Sequence, residues 1–166
     1  MYHSLHIHRA SRLVPVNSPI LSDGAVVVDR DHIVAAGPFA EITKQFPGVF
    51  ITDHQDAVLM PGLINAHIHL ELSHLGRLSQ NQPPESFTGW ITGLLAARKE
   101  LGATGKTVET AAAAMLEAQY RGGVIAIADI GNTSTGKALG NNTTLKLFHF
   151  LEYLGLSRAG LMPARA

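Results

Sequence analysis

Leu59-Met-Pro-Gly-Leu-Ile-Asn-Ala-His67-Ile-His69-Leu-Glu-Leu-Ser73 decides how the rest of the chain is read. Pro61-Gly62 opens it, Leu63 to Ala66 is an apolar run of strand length, and two histidines one residue apart follow. In a strand, residues i and i+2 point to the same side, so His67 and His69 aim both imidazoles at one point just past the apolar run. Two neutral imidazoles held this way are half of a metal site, suited to zinc, iron or another borderline ion. A catalytic centre takes three or more protein ligands and leaves a position for water, so the other half must come from elsewhere in the fold.

The chain changes character across Pro61-Gly62. Before it the patterns are short and β-rich: Leu5-His-Ile7, Leu13-Val-Pro-Val16, Ala25-Val-Val-Val-Asp29, Ile33 to Ala36, Val49 to Thr52 and Ala57 to Met60. Pro, Asn, Ser and Gly separate them, as turns separate strands. Asp29-Arg-Asp-His32 predicts a hairpin turn, and Phe39 to Phe46 a short helix stopped by Pro47-Gly48. After Pro61-Gly62, longer helical patterns alternate with strands, and a polar loop with Pro83-Pro84 follows the histidines. Ser86 is placed to cap a helix with Phe87, Ile91, Leu94 and Leu95 on one face, ended by Gly102. Thr107 is placed to cap an alanine-rich second helix that stops at Gly122-Gly123.

Val124-Ile-Ala-Ile-Ala-Asp-Ile130 is a continuous apolar run, as in a parallel strand covered on both faces. A polar loop from Gly131 to Thr144 leads to a third strand, Leu145-Lys-Leu-Phe-His-Phe-Leu-Glu152. Strand, helical crossover, strand, loop, strand is the βαβ grammar of an α/β protein with a parallel barrel or doubly wound sheet. Two domains are expected, residues 1–60 and 61–166.

Composition narrows the function classes. The chain has 166 residues, 46% of them hydrophobic, enough to bury a core. Thirteen basic residues balance thirteen acidic ones, so there is no electrostatic footprint for nucleic acid or an anionic membrane. With no cysteine, disulfides, thiolate ligands, a cysteine nucleophile and the cysteine-ligated zinc deaminases are all excluded, and any metal sits on nitrogen and oxygen. No nucleotide-binding glycine pattern follows any strand. The N-terminus lacks the basic start and apolar core of a secretory signal, and no apolar stretch is long enough to span a membrane, so a cytoplasmic location is expected.

On these residues the chain resembles the metal-dependent amidohydrolase superfamily, in the branch of chlorohydrolases and cytosine, adenosine-type and aminofutalosine deaminases. The specific part is Leu59 to Ser73, with Ser22-Asp-Gly-Ala25 and Ile33-Val-Ala-Ala-Gly-Pro38 before it. Phe87-Thr-Gly-Trp90 with Arg98, Gly123 to Asp129 and Phe148-His-Phe-Leu-Glu152 are softer matches. The resemblance implies a small N-terminal β-sandwich followed by a (β/α)8 TIM-type barrel whose first strand ends in the metal ligands His67 and His69. The family's later metal residues, histidines on the fifth and sixth strands and an aspartate on the eighth, have no positions here. A complete barrel takes roughly 250 residues, and Pro61 to Ala166 provides for about three strands. The expectation is therefore the front part of such an enzyme, an incomplete barrel that on its own lacks the full site.

The activity implied is hydrolysis of a C–N bond in a purine-like or triazine-like heterocycle by water activated on a divalent metal, zinc foremost and iron(II) the alternative. Glu71 and His74 follow the ligand pair on the loop where substrate would sit, and are read as substrate contacts or as surface residues alike. His6-Ile-His8 has the same spacing but no apolar strand leading into it, and is read as a solvated strand face. His149, between two phenylalanines, is read as a core histidine with its hydrogen bonds met. Arg98, near a helix end, is read as complementing the helix dipole, and Asp129 as a capping residue or a partner of a metal-bound histidine. The rival reading is a non-catalytic scaffold or oligomerisation fragment with a vestigial metal pair. A barrel stopped after three strands exposes an unpaired edge and an apolar face, so self-association is expected.

Overall fold

The computed structural model describes residues 4–79, 86–141 and 143–153; the expected loop with Pro83-Pro84 lies outside them. The chain divides into two compact units, Met1–Pro61 and Gly62–Ala166.

In the first unit, β1 (Leu5–Leu13) lies at the centre of one five-stranded sheet. It pairs antiparallel with β2 (Leu21–Asp29), which pairs with β3 (His32–Pro38). Helix α1 (Phe39–Gln45) follows, then β4 (Phe50–Asp53) and the two-residue β5 (Val58–Leu59), both parallel to β1. The β2–β3 turn is Arg30-Asp31, and Arg30 takes a positive φ of 56° to make it. Ile7, Ala25, Val27, Ile42 and Val49 form the core, so what covers this sheet among the described residues is a helix rather than a second sheet.

The expected separate segments Leu5 to Ile7 and Leu13 to Val16 are instead one strand ending at Leu13. Ile7, Ala10 and Leu13 are its buried residues, three apart rather than two. The ladder with β2 keeps one register from Leu5 to Leu13 although Ser11 is left out of it, and the three-residue spacing of the buried positions hides the alternation on which strand recognition rests. Gly24 lets the two strands approach, since a Cβ there would lie 2.3 Å from the Leu13 Cβ.

In the second unit, β6 (Leu63–Ile68), β7 (Val124–Gly131) and β8 (Lys146–Leu151) form a parallel sheet in the order β6-β7-β8. Between β6 and β7 come a 3₁₀ segment (Leu70–Ser79), α2 (Phe87–Leu101) and α3 (Lys106–Arg121). Between β7 and β8 comes α4 (Thr135–Gly140), where a polar loop was expected. Sequential parallel strands with helical crossovers are the opening of a (β/α)8 barrel. The Ser86 hydroxyl caps α2 by accepting from Gly89 N at 3.1 Å. Thr107 is not a cap: α3 begins at Lys106, and Gly105, at φ +103°, turns the chain into it without a side-chain bond.

Val108, Ala112 and Leu116 put one face of α3 into the core, where Leu70, Val124, Ile127 and Leu145 meet it. Ladder register assigns the two sides of the sheet. Ile68, Asp129 and His149 share the helix-covered side; Ile64, Ala126, Ala128, Phe148, Ile130 and Phe150 share the other. Among the described residues, strand β7 is thus covered by helices on one side only, where its apolar run led to an expectation of cover on both. Its open-side alanines are merely half-buried, while Ile64, Phe148 and Phe150 on the flanking strands are exposed.

Candidate functional site

Strand β6 delivers the two histidines. Ile68 pairs in register with Asp129 on the helix-covered side, so His67 and His69, alternating with it, belong to the open side at the C-terminal end of the sheet. Their Nε2 atoms lie 3.2 Å apart, with the rings edge-on. Asn65 fixes the approach: its Oδ1 accepts from His67 N at 3.2 Å, and its Nδ2 donates to Gln119 Oε1 on α3 at 2.9 Å. Two imidazole nitrogens each about 2.0–2.1 Å from a shared ion stand roughly 3 Å apart, so the separation of the donor pair suits a zinc-like ion.

Behind the pair, on the helix-covered side, lies a set of charged side chains buried at the strand ends. Asp129 Oδ1 accepts from Leu70 N at 2.8 Å and its Oδ2 lies 2.7 Å from His149 Nδ1. His149 is thus a core histidine engaged by a carboxylate from the next strand. Glu71, 4% exposed, pairs through Oε1 with Arg98 Nη2 at 2.8 Å. Its Oε2 accepts from Thr133 N at 2.9 Å and from Thr133 Oγ1 at 2.5 Å. Arg98 also donates to Asn132 Oδ1.

The role first given to Arg98, complementing the end of α2, gives way to this ion pair: the guanidinium is drawn to a buried carboxylate rather than to terminal carbonyls. Glu71 is not a surface residue, and both its oxygens are already engaged. His74 Nε2 donates to Gly102 O, 3.1 Å away, and its buried Nδ1 has no partner among the described residues. Sequence reasoning missed the Glu71–Arg98–Thr133 set. A signal was present in Gly131 and Gly136, since a Cβ at Gly131 would lie 3.0 Å from Glu71 Oε2, and one at Gly136 1.7 Å from Asp129 Oδ2.

The other histidine pair has a structure of its own. His6 and His8 share a face of β1, their rings stacked at 4.3 Å, and His8 Nδ1 lies 3.0 Å from His54 Nε2. His6 Nε2 bonds Thr52 Oγ1 at 2.7 Å. Burial, then the neighbouring His6 and His54, hold the His8 imidazole below the ordinary histidine range. Two surface hollows of about 430 and 360 Å³ are lined by other residues, Arg9, Asp23 and Asp53 in one, Leu116, Tyr120 and Leu139 in the other.

Comparison with known proteins agrees with this architecture. An imidazolonepropionase-like composite domain of bacteria matches residues 24–48, and the amidohydrolase family matches residues 58–155. A 5-methylthioadenosine/S-adenosylhomocysteine deaminase of Nitratidesulfovibrio vulgaris is 32% identical over 111 residues, 67% of this chain and 24% of the deaminase. Helicobacter pylori aminofutalosine deaminase, in complex with methylthio-coformycin, superposes with a TM-score of 0.72 at 29% identity, covering 92% of this chain and 36% of that one. A zinc-complexed atrazine chlorohydrolase of Arthrobacter aurescens has the same fold, with a TM-score of 0.69 at 19% identity over 93% of this chain and 37% of that one. The chain therefore spans about a quarter to a third of the length of such relatives. A parallel sheet that opens a barrel, two imidazoles converging at the end of its first strand, and these likenesses lead to one conclusion: the chain belongs to the amidohydrolase family.

Proposed function

We propose that this chain supplies the first-strand part of a divalent-metal centre in a hydrolase that removes an amine from a purine-like or triazine-like heterocycle. The observation that carries the reading is the 3.2 Å approach of His67 Nε2 and His69 Nε2 at the C-terminal end of β6, where barrel enzymes place their chemistry. The 32% identity to a deaminase of adenine nucleosides supports the reaction class. Zinc in a neighbour of the same fold supports the ion, with iron(II) the alternative. When bound, such an ion lowers the pKa of a coordinated water to about 7.

The chain's own residues do the holding and orienting. His67 and His69 present their Nε2 atoms side by side, and Asn65 ties the first of them to α3. For substrate contact, Glu71 must first give up Arg98 and Thr133, and His74 must first expose its buried Nδ1. A cytoplasmic enzyme of small molecules, without nucleic-acid or membrane partners, goes with this reading and is supported by the balanced charge. Among the described residues, no helix is long and apolar enough to cross a membrane.

A second reading, a scaffold retaining a vestigial pair, is favoured by the ligand number. A catalytic centre takes three or more ligands, and among the described residues no three His, Asp or Glu side chains converge. Metal content and ammonia release from 5-methylthioadenosine separate the two. Metal-dependent release that His67→Ala abolishes supports the enzyme. Release that survives His67→Ala sinks it, and bound metal that His67→Ala leaves in place sinks both.

A further inference from the structure

The proposed chemistry makes no direct use of Asp129, a buried carboxylate, and reaches Glu71, buried likewise, only if Arg98 and Thr133 release it. We propose that Asp129, seconded by Glu71, is a positioning residue that fixes the peptide following His69 and so aims the His67–His69 pair at a divalent ion. This deepens the ligand reading above and rests on it.

The grip falls on consecutive residues. Leu70 N, the amide directly after His69, donates to Asp129 Oδ1 at 2.8 Å, a charge-assisted bond about twice as strong as a neutral one. It fixes the plane of the His69–Leu70 peptide and hence the direction in which the His69 side chain leaves the backbone. The next residue, Glu71, is held through its side chain by Arg98 of α2 and by Thr133 after β7. Leu70 also buries its side chain completely, but an apolar contact leaves the peptide free to rotate, whereas a carboxylate on its N–H does not.

The clamp is itself clamped. His149 of β8 occupies Asp129 Oδ2, so a single carboxylate joins the ends of all three strands. Gly136 backs against the same oxygen; a Cβ there would sit 1.7 Å from Oδ2 and 2.9 Å from His149 Nδ1. Burying carboxylates is expensive, and apolar side chains of similar volume hold strands together at least as well. What a carboxylate adds is direction, the role that residues hydrogen-bonded around metal ligands play.

The test is Asp129→Asn in the whole chain, in a His8→Ala background that removes the imidazole common to the His6–His8 and His8–His54 pairs. Two readouts are taken, hydrogen exchange at Leu70 N and the affinity for Zn(II). Expected are faster exchange at Leu70 with β1 to β3 unchanged, and an affinity lowered about ten- to a hundredfold. His149→Gln, which keeps a donor towards Oδ2, is expected to restore most of the affinity lost in His149→Ala. Wild-type affinity in folded Asp129→Asn overturns the proposal, whether or not Leu70 exchange has changed. Should that variant not fold, the isosteric Glu71→Gln is read instead, and wild-type values in both readouts overturn it equally. If His67→Ala binds zinc as tightly as its parent, the ligand reading fails and the positioning role falls with it. If His67→Ala abolishes binding and Asp129→Asn does not weaken it, positioning alone is refuted.

Discussion

At the scale of single residues, Gly136 shows how a helical glycine is chosen for its neighbour. An exposed helical glycine gains about 1 kcal/mol on replacement by alanine, but here the new methyl would collide with the Asp129 carboxylate. Gly136→Ala is therefore expected to lose about 1–3 kcal/mol, the usual cost of overpacking, read as a lower melting temperature. His8 gives a pH dependence. Its folded-state pKa is lowered by burial and by two neighbouring imidazoles, so the unfolded chain binds the proton more readily. The stability it contributes is complete above the ordinary value of 6.5 and is lost as pH falls from there through the lowered value. The drop in melting temperature between about pH 7.5 and 5.5 should be smaller in His8→Gln than in the wild type. The approach of His67 and His69 was legible in the sequence from their i, i+2 spacing, although the register slip between Asn65 and Ile68 and the end of β6 at Ile68 were not. The partners of Glu71 were not, because Arg98 and Thr133 reach it through crossovers whose packing no local pattern records.

At the scale of elements, the helices and parallel strands were legible in outline, and the misreadings have local causes. The segment Thr135–Gly140 carries too little apolar residue to look like a helix, but Thr135 and Gly136 are buried against the strand ends and α4 forms there. In β1 the three-residue spacing of the buried positions hid a continuous strand. The apolar side assigned to α2 is real in periodicity, yet no residue of the helix is buried among the described residues, and Phe87 is 75% exposed. A helix with little packing depends on its ends. Ser86→Ala is thus expected to weaken α2 by about 1 kcal/mol, seen as faster amide exchange in its first turn with α3 unaffected. In α3, packing dominates instead: Leu116→Ala should lower global stability by about 2–4 kcal/mol, measured by denaturant unfolding.

At the scale of the whole molecule, the open side of the β6-β7-β8 sheet sets the solution behaviour. Ile64, Phe148 and Phe150 are 70%, 57% and 57% exposed, and a contiguous apolar surface of that kind seeks a cover. Self-association of the chain is the expected outcome, measured by light scattering during gel filtration, and Phe148→Lys with Phe150→Lys should shift it towards the monomer. A monomeric wild type with a cooperative melt would contradict this. The strand order has one more consequence. In the β6-β7-β8 sheet each strand after the first lies beside the one preceding it in the sequence, so β7 and β8 each meet a partner already made. A ribosome releasing this chain from its N-terminus lays the sheet down in the direction of synthesis, with each new βα unit docking on a finished edge.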